Sequence, residues 1–338
     1  MLRMQGFDLA TPTSVEEAVA LLAEEGAHAM AGGTDLLPNV KHELVEPRRV
    51  VALAGIAELR GVERAADGGL SIGAMTTLDA LAKHGDVLAN APALAQAASL
   101  VAGPQLRRMG TLGGNVLLDT RCQWYNQTYF WREALGFCLK KDGTACHVVE
   151  SGSKCVAAAS NDTAPALITL DAELEFANAD GRRRVAIKDL YKSDGAANLT
   201  IEKRDLLVRV HVPATPAGHR GAYGKLRERN SIDFPLLGIA ARLDVGDDGA
   251  IARADLAAVA LPARPLALTK AASALVGARP DDASFDEAVA NAVEFAHKQL
   301  HPVENVPGDA AWRRAMARVY VRETLRAAAT GSGPVHGR

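Results

Sequence analysis

The sequence predicts an α+β fold, and three stretches carry that prediction. TPTSVEEAVALLAEEG has a Ser/Thr cap, acids in its first turn and apolar residues at helical spacing, and the strand candidate RVVAL lies further along. LSIGAMTTLDALAKH combines a strand with a Thr-capped helix, and ARLDVGDDGAIARADLAAVA has the pattern of two strands around a glycine turn. Helices and strands therefore alternate along the 338 residues.

The remaining elements follow the same signals in chain order. HAMAGGTDLLPNVKHEL predicts a short apolar run, a glycine pair and a helix start, and PALAQAASLVAG predicts an Ala-rich helix. NDTAPALITLDAELEFANADGRRRVAIKDLY predicts helix, strand, glycine turn and strand, whereas VPATPAGHRG has the composition of a linker. Beyond the linker we expect a three-stranded sheet, then helices over LTKAASALVG and FDEAVANAVEFAHKQL.

A long final helix is expected from Asp309 to Ala329. Helical spacing places four apolar side chains on one face, which we expect to be the core face: Trp312, Met316, Val319 and Tyr320. The opposite side would be a solvated basic face formed by Arg313, Arg314, Arg318 and Arg322, with a partner-docking face as the alternative. The tail, residues 331–338, is expected to be disordered.

Composition and charge exclude several classes of function. The chain is 48% hydrophobic and 23% charged, which is typical of a soluble protein large enough for two domains. Lys and Arg number 38 against 40 for Asp and Glu, so no broad positive field favours nucleic acid or anionic lipid. Because we find neither a secretory signal nor an apolar run long enough for a membrane span, we expect a cytoplasmic protein. Export together with a signal-bearing partner stays open.

Two glycine pairs are candidates for phosphate binding, Gly32-Gly33 in AGGTD and Gly113-Gly114 in RRMGTLGGNVLLDT. A glycine pair lets main-chain N–H groups approach a phosphate with no side chain in the way. One such pair is usually only a turn, but two pairs, each between apolar runs, favour a phosphate-bearing cofactor. Neither pair fits GxGxxG with a suitably spaced acid, or GxxxxGK[ST], so neither a Rossmann site nor a P-loop is predicted.

All four cysteines lie in RCQWYNQTYFWREALGFCLKKDGTACHVVESGSKC, at Cys122, Cys138, Cys146 and Cys155. In a reducing compartment, clustered thiols are metal ligands or buried inert groups more often than disulfides. Their wide spacing matches no compact CxxC motif, and four thiolates suit zinc or a 4Fe-4S cluster equally. The aromatic residues of the segment would shield such a site or simply cap a loop: Trp124, Tyr125, Tyr129, Phe130, Trp131 and Phe137.

The ordered set AGGTDLL, QLRRMGTLGGN, DLLVRVHVP, YGKLRERNSIDFPLLGIAAR and ALPARPLALTKAASALVG resembles the FAD-binding (medium) subunits of the xanthine oxidase family of molybdenum hydroxylases. The match runs in order from about Phe7 to Tyr320. It implies an FAD-binding region of the p-cresol methylhydroxylase type, with subdomains over residues 1–55 and 56–216. A C-terminal α/β domain, residues 217–330, would follow, like that of carbon monoxide dehydrogenase flavoproteins.

The cysteine segment interrupts this resemblance. In that family the Asn after the second glycine pair is followed closely by an Asp-containing helix start. Here the corresponding Asp162 of SNDTAPALITLDAELEF comes only after the cysteines, so residues 120–160 resemble an insertion between two halves of an FAD site. The insertion is similar to that of the 4-hydroxybenzoyl-CoA reductase branch, on the β subunit, where it carries an additional 4Fe-4S cluster. A related insertion occurs in FAD subunits of some bacterial aldehyde oxidoreductases.

The resemblance also implies which residues contact the cofactors. The first FAD pyrophosphate loop would consist of Ala29, Met30, Ala31, Gly32, Gly33, Thr34, Asp35 and Leu36, and the second of Thr111, Leu112, Gly113, Gly114 and Asn115. Asp162 would hold the adenosine side, Val101, Leu207 and Lys225 would approach the flavin, and Cys122, Cys138, Cys146 and Cys155 would hold the 4Fe-4S cluster. A cation such as Lys225 near the flavin would stabilise its reduced anion. The alternative is an exposed lysine at a strand end.

The function implied by the resemblance is electron transfer, with no catalytic residue in this chain, because the family keeps substrate chemistry on molybdopterin in a partner subunit. The implied partners are a large molybdopterin-binding subunit and a small 2Fe-2S subunit in a dimer of heterotrimers, and a ferredoxin-like donor. Electrons would pass from that donor through 4Fe-4S and FAD to 2Fe-2S and molybdopterin, for reductive dehydroxylation of 4-hydroxybenzoyl-CoA or a related aromatic acyl-CoA.

Two alternatives stay open. The first is the FAD subunit of an oxidative molybdenum hydroxylase or aldehyde oxidoreductase. The second is a structural or assembly protein in which zinc staples the four cysteines together.

Overall fold

The computed structural model describes Leu2 and residues 4–336, and its first sheet lies near the N-terminus. Three parallel strands pair in the order β1-β3-β2. Parallel strands need crossover connections, and two helices supply them here. Helix α1 begins after Ser14, whose hydroxyl accepts a hydrogen bond from the Glu17 N–H at 3.1 Å. The elements are β1 (Asp8–Ala10), α1 (Val15–Leu22), β2 (Ala27–Met30), α2 (Leu36–Lys41) and β3 (Arg49–Ala52).

The second sheet is antiparallel, with five strands in the order β4-β5-β8-β6-β7. Its strands are β4 (Val62–Arg64), β5 (Leu70–Gly73), β6 (Glu173–Asn178), β7 (Gly181–Ala186) and β8 (Leu206–Val212). The long connection from β5 to β6 carries α3 (Leu78–Lys83), α4 (Gly85–Asn90), α5 (Pro92–Leu100), α6 (Pro104–Arg107), α7 (Leu112–Val116), α8 (Tyr129–Ala134) and α9 (Thr163–Thr169). Short 3-10 turns occupy Leu53–Gly55, Ala57–Leu59 and Ile187–Asp189. This connection contains the second glycine loop and the cysteine segment.

The third sheet has five strands in the order β12-β11-β10-β9-β13, not the expected three. The three long antiparallel strands are present, and the two additional strands are two-residue edges. The elements are β9 (His219–Leu226), β10 (Leu237–Val245), β11 (Ile251–Val259), β12 (Leu266–Ala267), α10 (Thr269–Ser273), α11 (Ala283–Gln299), α12 (Ala310–Thr330) and β13 (Val335–His336). The boundary predicted near residue 216 stays a prediction.

The C-terminal tail differs from the expectation over part of its length. Val335 and His336 pair in parallel with Gly224 and Lys225 of β9, although disorder was predicted for residues 331–338. The pairing satisfies backbone groups at an open edge of the sheet, and Val335 packs against the C-terminal core. Residues 337 and 338 lie outside the described residues.

The third sheet is covered on both faces. On one side it packs against α11 and α12, and on the other Tyr223 and Ala240 join a core formed with α3, α5 and α9. Strand β10 is consequently buried along almost its whole length. A strand buried on both faces loses the simple alternation of polar and apolar residues. Polar residues on the central strands of this third sheet therefore lie in the protein interior.

The final helix is rotated relative to the predicted orientation. Trp312 and Val319 are 43% and 39% exposed, whereas Arg313 is fully buried. The Arg313 guanidinium donates hydrogen bonds to the carbonyls of Leu236, Val303 and Ala260 at 3.1, 2.9 and 2.5 Å. The prediction was wrong for these three side chains because a buried arginine can satisfy backbone carbonyls that no apolar residue could. Tyr320 is buried as expected.

Within the part of the chain that the structure describes, no helix is long and apolar enough to cross a membrane.

Candidate functional site

The two glycine loops lie against each other. A Cβ atom added at Gly32 would lie 1.8 Å from the carbonyl oxygen of Met109, so only glycine allows this approach. A Cβ at Gly110 would be 3.6 Å from Oγ1 of Thr34, which places the start of the second loop beside the first. Gly33 has φ +69°, a conformation that glycine adopts without strain. The two loops thus approach each other closely at Gly32, with no side chain between them.

The second loop is anchored to the large antiparallel sheet. Thr111 caps α7 by accepting a hydrogen bond from the Gly114 N–H at 3.1 Å. The Gly113 N–H donates to the Ala74 carbonyl at 2.8 Å, and the Ala74 N–H donates to the Val208 carbonyl at 2.9 Å. Leu207, the neighbour of Val208 on β8, is therefore close to this loop and buried.

Asn115 joins the second loop to α9 across the cysteine segment. Its side-chain Oδ1 accepts hydrogen bonds from the Thr163 N–H at 2.9 Å and from the Thr163 hydroxyl at 2.6 Å. Both residues are buried. Two positions separated by the whole cysteine segment are thus direct neighbours, which is the geometry expected of an insertion.

Lys225 and Asp162 form a buried ion pair. The Lys225 Nζ lies 3.2 Å from Oδ2 of Asp162 and donates further hydrogen bonds to the carbonyls of Leu100 and Asp233 at 3.0 and 3.3 Å. Tyr223 donates its hydroxyl to Oδ1 of Asp162 at 2.8 Å. Burial raises the pKa of Asp162 and lowers that of Lys225, while the pairing of the two charges opposes both shifts.

This pair bears on two assignments made from the sequence. Lys225 is fully buried, so it is not an exposed lysine at a strand end. Asp162 contacts Lys225 directly, although the sequence assigned them to the adenosine side and the flavin, and both cofactor contacts stay predictions. The sequence reasoning also missed Tyr223, which lies two residues before Lys225 on β9 and whose hydroxyl points to the same carboxylate.

Val101 lies near this ion pair, at the C-terminal end of α5. Its neighbour Leu100 accepts the hydrogen bond from Lys225, and its own carbonyl accepts one from Arg107 at 2.8 Å. Val101 is half-buried, which leaves part of its side chain accessible at the site.

The two ends of the cysteine segment meet in a backbone bridge. Arg121 and Ala158 exchange two backbone hydrogen bonds, both at 2.7 Å, in an antiparallel bridge. Lys140 connects the segment to residues outside it. Its buried Nζ donates hydrogen bonds to Asp119 at 2.7 Å, to Thr120 and to the Gly195 carbonyl at 2.8 Å. The segment therefore folds as a loop with its two ends together.

All four cysteines line one small cavity inside this loop. Cys122, Cys146 and Cys155 are buried, and Cys138 is half-buried. Burial raises the pKa of the Cys122 thiol to about 11 and also raises that of Cys155, so these thiols are protonated when no metal is bound. Among the described residues, no group of three or more His, Cys, Asp or Glu side chains is arranged to hold a metal ion directly.

The aromatic residues of the segment divide into two sets. Trp124 and Tyr125 line the cavity, and Trp124 packs against His147 with ring centroids 5.4 Å apart. Tyr129, Phe130 and Trp131 are 39%, 78% and 37% exposed and do not line the cavity, which fits the alternative of a loop cap for these three. His147, whose Nε2–H donates to the Phe137 carbonyl at 2.5 Å, also lines the cavity.

Arg121 is a further residue at the site that sequence reasoning missed. Its guanidinium forms an ion pair with Asp35 of the first glycine loop. The guanidinium carbon also lies 4.3 Å from the ring centroid of Phe234, which follows Asp233 in the β9–β10 loop. The sequence signal was its position directly before Cys122, but nothing in the sequence links it to Asp35.

Comparison with known proteins decides the family. Residues 5–215 match the family described as FAD binding domain in molybdopterin dehydrogenase, and residues 222–328 match the CO dehydrogenase flavoprotein C-terminal domain. This chain belongs to the FAD-binding subunits of the molybdenum hydroxylases. It is therefore an oxidoreductase subunit with an FAD-binding domain, and its mixed α and β fold is the one predicted.

The relatives of this FAD-binding subunit match it over most of its length. The carbon monoxide dehydrogenase medium chain of Afipia carboxidovorans is 30% identical over 325 residues, 95% of this chain and 96% of the relative. The xanthine dehydrogenase FAD-binding subunit of Escherichia coli O157:H7 is 32% identical over 248 residues, 71% of each chain. A crystal structure of Cu,Mo-CO dehydrogenase contains a chain with a TM-score of 0.78 and 29% identity, covering 97% of this chain and 99% of that one.

Proposed function

We propose that this chain is the FAD- and 4Fe-4S-carrying electron-transfer subunit of a molybdenum enzyme complex that reductively dehydroxylates 4-hydroxybenzoyl-CoA or a related aromatic acyl-CoA. The observation that carries the proposal is the cysteine cavity. Four thiols far apart in sequence line one cavity, in a loop whose two ends meet beside the glycine loops. A redox group held by this loop would therefore lie close to the proposed FAD site.

The cavity gives the four thiols one common site, which suits either a 4Fe-4S cluster or a zinc ion. The cluster is proposed because the insertion resembles that of the 4-hydroxybenzoyl-CoA reductase branch, and a cubane 4Fe-4S cluster is held by four cysteine thiolates. Cys122, Cys138, Cys146 and Cys155 would be those ligands.

The glycine loops, residues 29–36 and 111–115, would hold the FAD pyrophosphate through their main-chain N–H groups. Lys225 with Asp162, and Val101 and Leu207, would form the flavin end of the site. FAD when bound exchanges electrons singly or in pairs, which suits a subunit between one-electron and two-electron centres. The buried Lys225 would place a fixed positive charge at the flavin, and Asp162 and Tyr223 would hold it in position.

The partners in this proposal are a large molybdopterin-binding subunit, a small 2Fe-2S subunit and a ferredoxin-like donor. The relatives support a multi-subunit assembly, since they are named a medium chain and an FAD-binding subunit. The assembly would be a dimer of heterotrimers, with domains of this chain meeting near residues 55 and 216.

Exchanging Cys138 for alanine tests the separate cluster site. We expect Cys138→Ala, purified without oxygen, to lose most of its iron and to keep its FAD, because the glycine loops do not depend on this thiol. Thr144→Ala, an exposed change in the same loop, is the matched control and should keep both. Iron and flavin per chain are measured by elemental analysis and absorbance. Loss of both cofactors, or of neither, would contradict the proposal.

The second candidate is the FAD subunit of an oxidative molybdenum hydroxylase or aldehyde oxidoreductase. The names of the relatives favour it, because carbon monoxide dehydrogenase and xanthine dehydrogenase are both dehydrogenases by name. Assay of the complete complex separates the two. Reduction of 4-hydroxybenzoyl-CoA with a low-potential donor supports the first function, whereas oxidation of an aldehyde with no acyl-CoA reduction supports the second.

A further inference from the structure

We infer that Arg121, at the base of the cysteine insertion, binds the diphosphate of FAD and so forms part of the cofactor site. The inference rests on the proposed function, because it takes the glycine loops as the place of the diphosphate. It adds a charged side chain to a site that was otherwise assigned to main-chain groups.

The two glycine loops lack a positive charge of their own. Across residues 29–36 and 111–115 the one charged side chain is Asp35, which is an acid. A diphosphate carries negative charge that main-chain N–H groups alone balance only in part. A cation from elsewhere in the chain would therefore strengthen diphosphate binding. Arg121 lies beside the first loop, in contact with Asp35.

The guanidinium of Arg121 has unused donor capacity. Its side chain is 13% exposed, and its Nε–H is buried without a hydrogen-bond partner. A buried arginine N–H group that finds no partner is costly unless a ligand or water satisfies it. The planar guanidinium offers donors in a fork that matches phosphate oxygens in pairs.

A purely structural role explains these contacts less well. In a buried ion pair the free-energy cost of desolvating both charges usually offsets the gain from their attraction. The contact with Asp35 alone therefore gives little stability. Asp35 is also half-exposed and holds a second hydrogen bond, from Asn39 at 3.0 Å. The Arg121 side chain packs on Phe234, which is itself 46% exposed, so this contact lies near the protein surface.

Because Arg121 lies at the base of the cysteine insertion, a diphosphate bound to it would also affect the insertion. The backbone of Arg121 closes the base of the insertion with Ala158, and the next residue is Cys122. A diphosphate bound by Arg121 would hold this base in place from the FAD side. Cofactor binding would thereby order the first cysteine of the cavity.

The test is a binding titration of the FAD-free full-length chain with FAD, with ADP and with riboflavin. ADP carries the diphosphate without the flavin, and riboflavin carries the flavin without the phosphate. We expect Arg121→Gln to weaken ADP and FAD binding at least about tenfold and to leave riboflavin binding unchanged. Arg108→Gln, which removes an exposed charge beside the second loop, is the matched control and should change ADP binding less than about twofold.

Asp35→Asn separates a ligand contact from a structural pair. If Arg121 binds the diphosphate, removing the neighbouring acid relieves repulsion and should tighten ADP binding by about threefold or more. If the two residues only hold each other, Asp35→Asn and Arg121→Gln should weaken binding alike. Because Asp35→Asn keeps Arg121, its ADP affinity distinguishes the two roles even if Arg121→Gln does not fold.

Equal ADP affinity in Arg121→Gln and the unchanged chain would overturn the inference, and so would unchanged or weaker ADP binding in Asp35→Asn. Failure of the unchanged chain to bind FAD would instead refute the proposed function. The two failures are therefore distinguishable.

Discussion

Single residues decide the chemistry of this site, and the buried pair of Lys225 and Asp162 is the clearest case. Lys225 would be expected at a surface, because lysine is almost never fully buried without a partner. Here it is fully buried on β9, and Asp162 supplies the opposite charge at 3.2 Å. The resemblance named both positions, but their contact depends on how the folded chain brings β9 beside the residue that precedes α9. No sequence pattern reports such a contact between distant residues.

Removing one member of this pair should destabilise the protein strongly. We expect Lys225→Met to lower the free energy of unfolding by about 3–5 kcal/mol, because it leaves the Asp162 carboxylate buried without its counter-charge. The double variant Lys225→Met with Asp162→Asn should recover at least half of that loss, since no charge is then left buried. Urea unfolding of the FAD-free chain measures both. Equal stability of Lys225→Met and the unchanged chain would show that the pair contributes nothing.

At the scale of elements, most helices and strands could be predicted from the sequence. Caps and turns are local, so the helix after Ser14, the Thr77-capped helix and the hairpin of β10 and β11 appear as expected. The orientation of a helix about its axis, by contrast, depends on contacts with distant segments. Helix α12 was predicted at the right position, but its buried face includes Arg313 because three backbone carbonyls from other elements converge there. Hydrophobic periodicity cannot report acceptors that belong to distant segments.

The buried side of α12 gives a matched pair of variants. Arg313→Met should lower the free energy of unfolding by about 2–4 kcal/mol, because it leaves three buried carbonyls without donors. Burial lowers the pKa of Arg313 to about 10, so the arginine is still charged at neutral pH when it makes these bonds. Arg314→Met, one residue further and exposed, should change stability by less than about 0.5 kcal/mol. Similar losses in the two variants, measured by urea unfolding, would refute this orientation of the helix.

For the whole molecule, the sequence indicated an FAD-binding subunit with an insertion, and the family comparison confirms the FAD-binding subunit. The structure adds how the insertion is joined. Arg121 and Ala158 meet at its base, and Asn115 bonds Thr163 across the gap. Sequence could not supply the rotation of α12, the two short edge strands or the contacts of Arg121, because each depends on segments that meet only in the folded chain.

An excision variant tests whether the loop is independent of the FAD site. Replacing residues 122–157 with Asn-Gly, a pair that closes two-residue hairpins, should leave a folded chain that binds FAD and holds no iron. The Asn115–Thr163 contact lies outside the excised segment and keeps the two halves of the site together. Flavin and iron content per chain, with circular dichroism to check folding, give the result. A folded variant that no longer binds FAD would contradict the independence of the loop.

The most direct test of the central claim is the content of iron, zinc and FAD per chain after purification without oxygen. The account predicts about four irons and one FAD per chain, with zinc absent, because four thiols around one cavity suit a 4Fe-4S cluster. About one zinc per chain with FAD bound would contradict it, and would reduce the cysteine loop to a structural staple on an FAD-binding subunit.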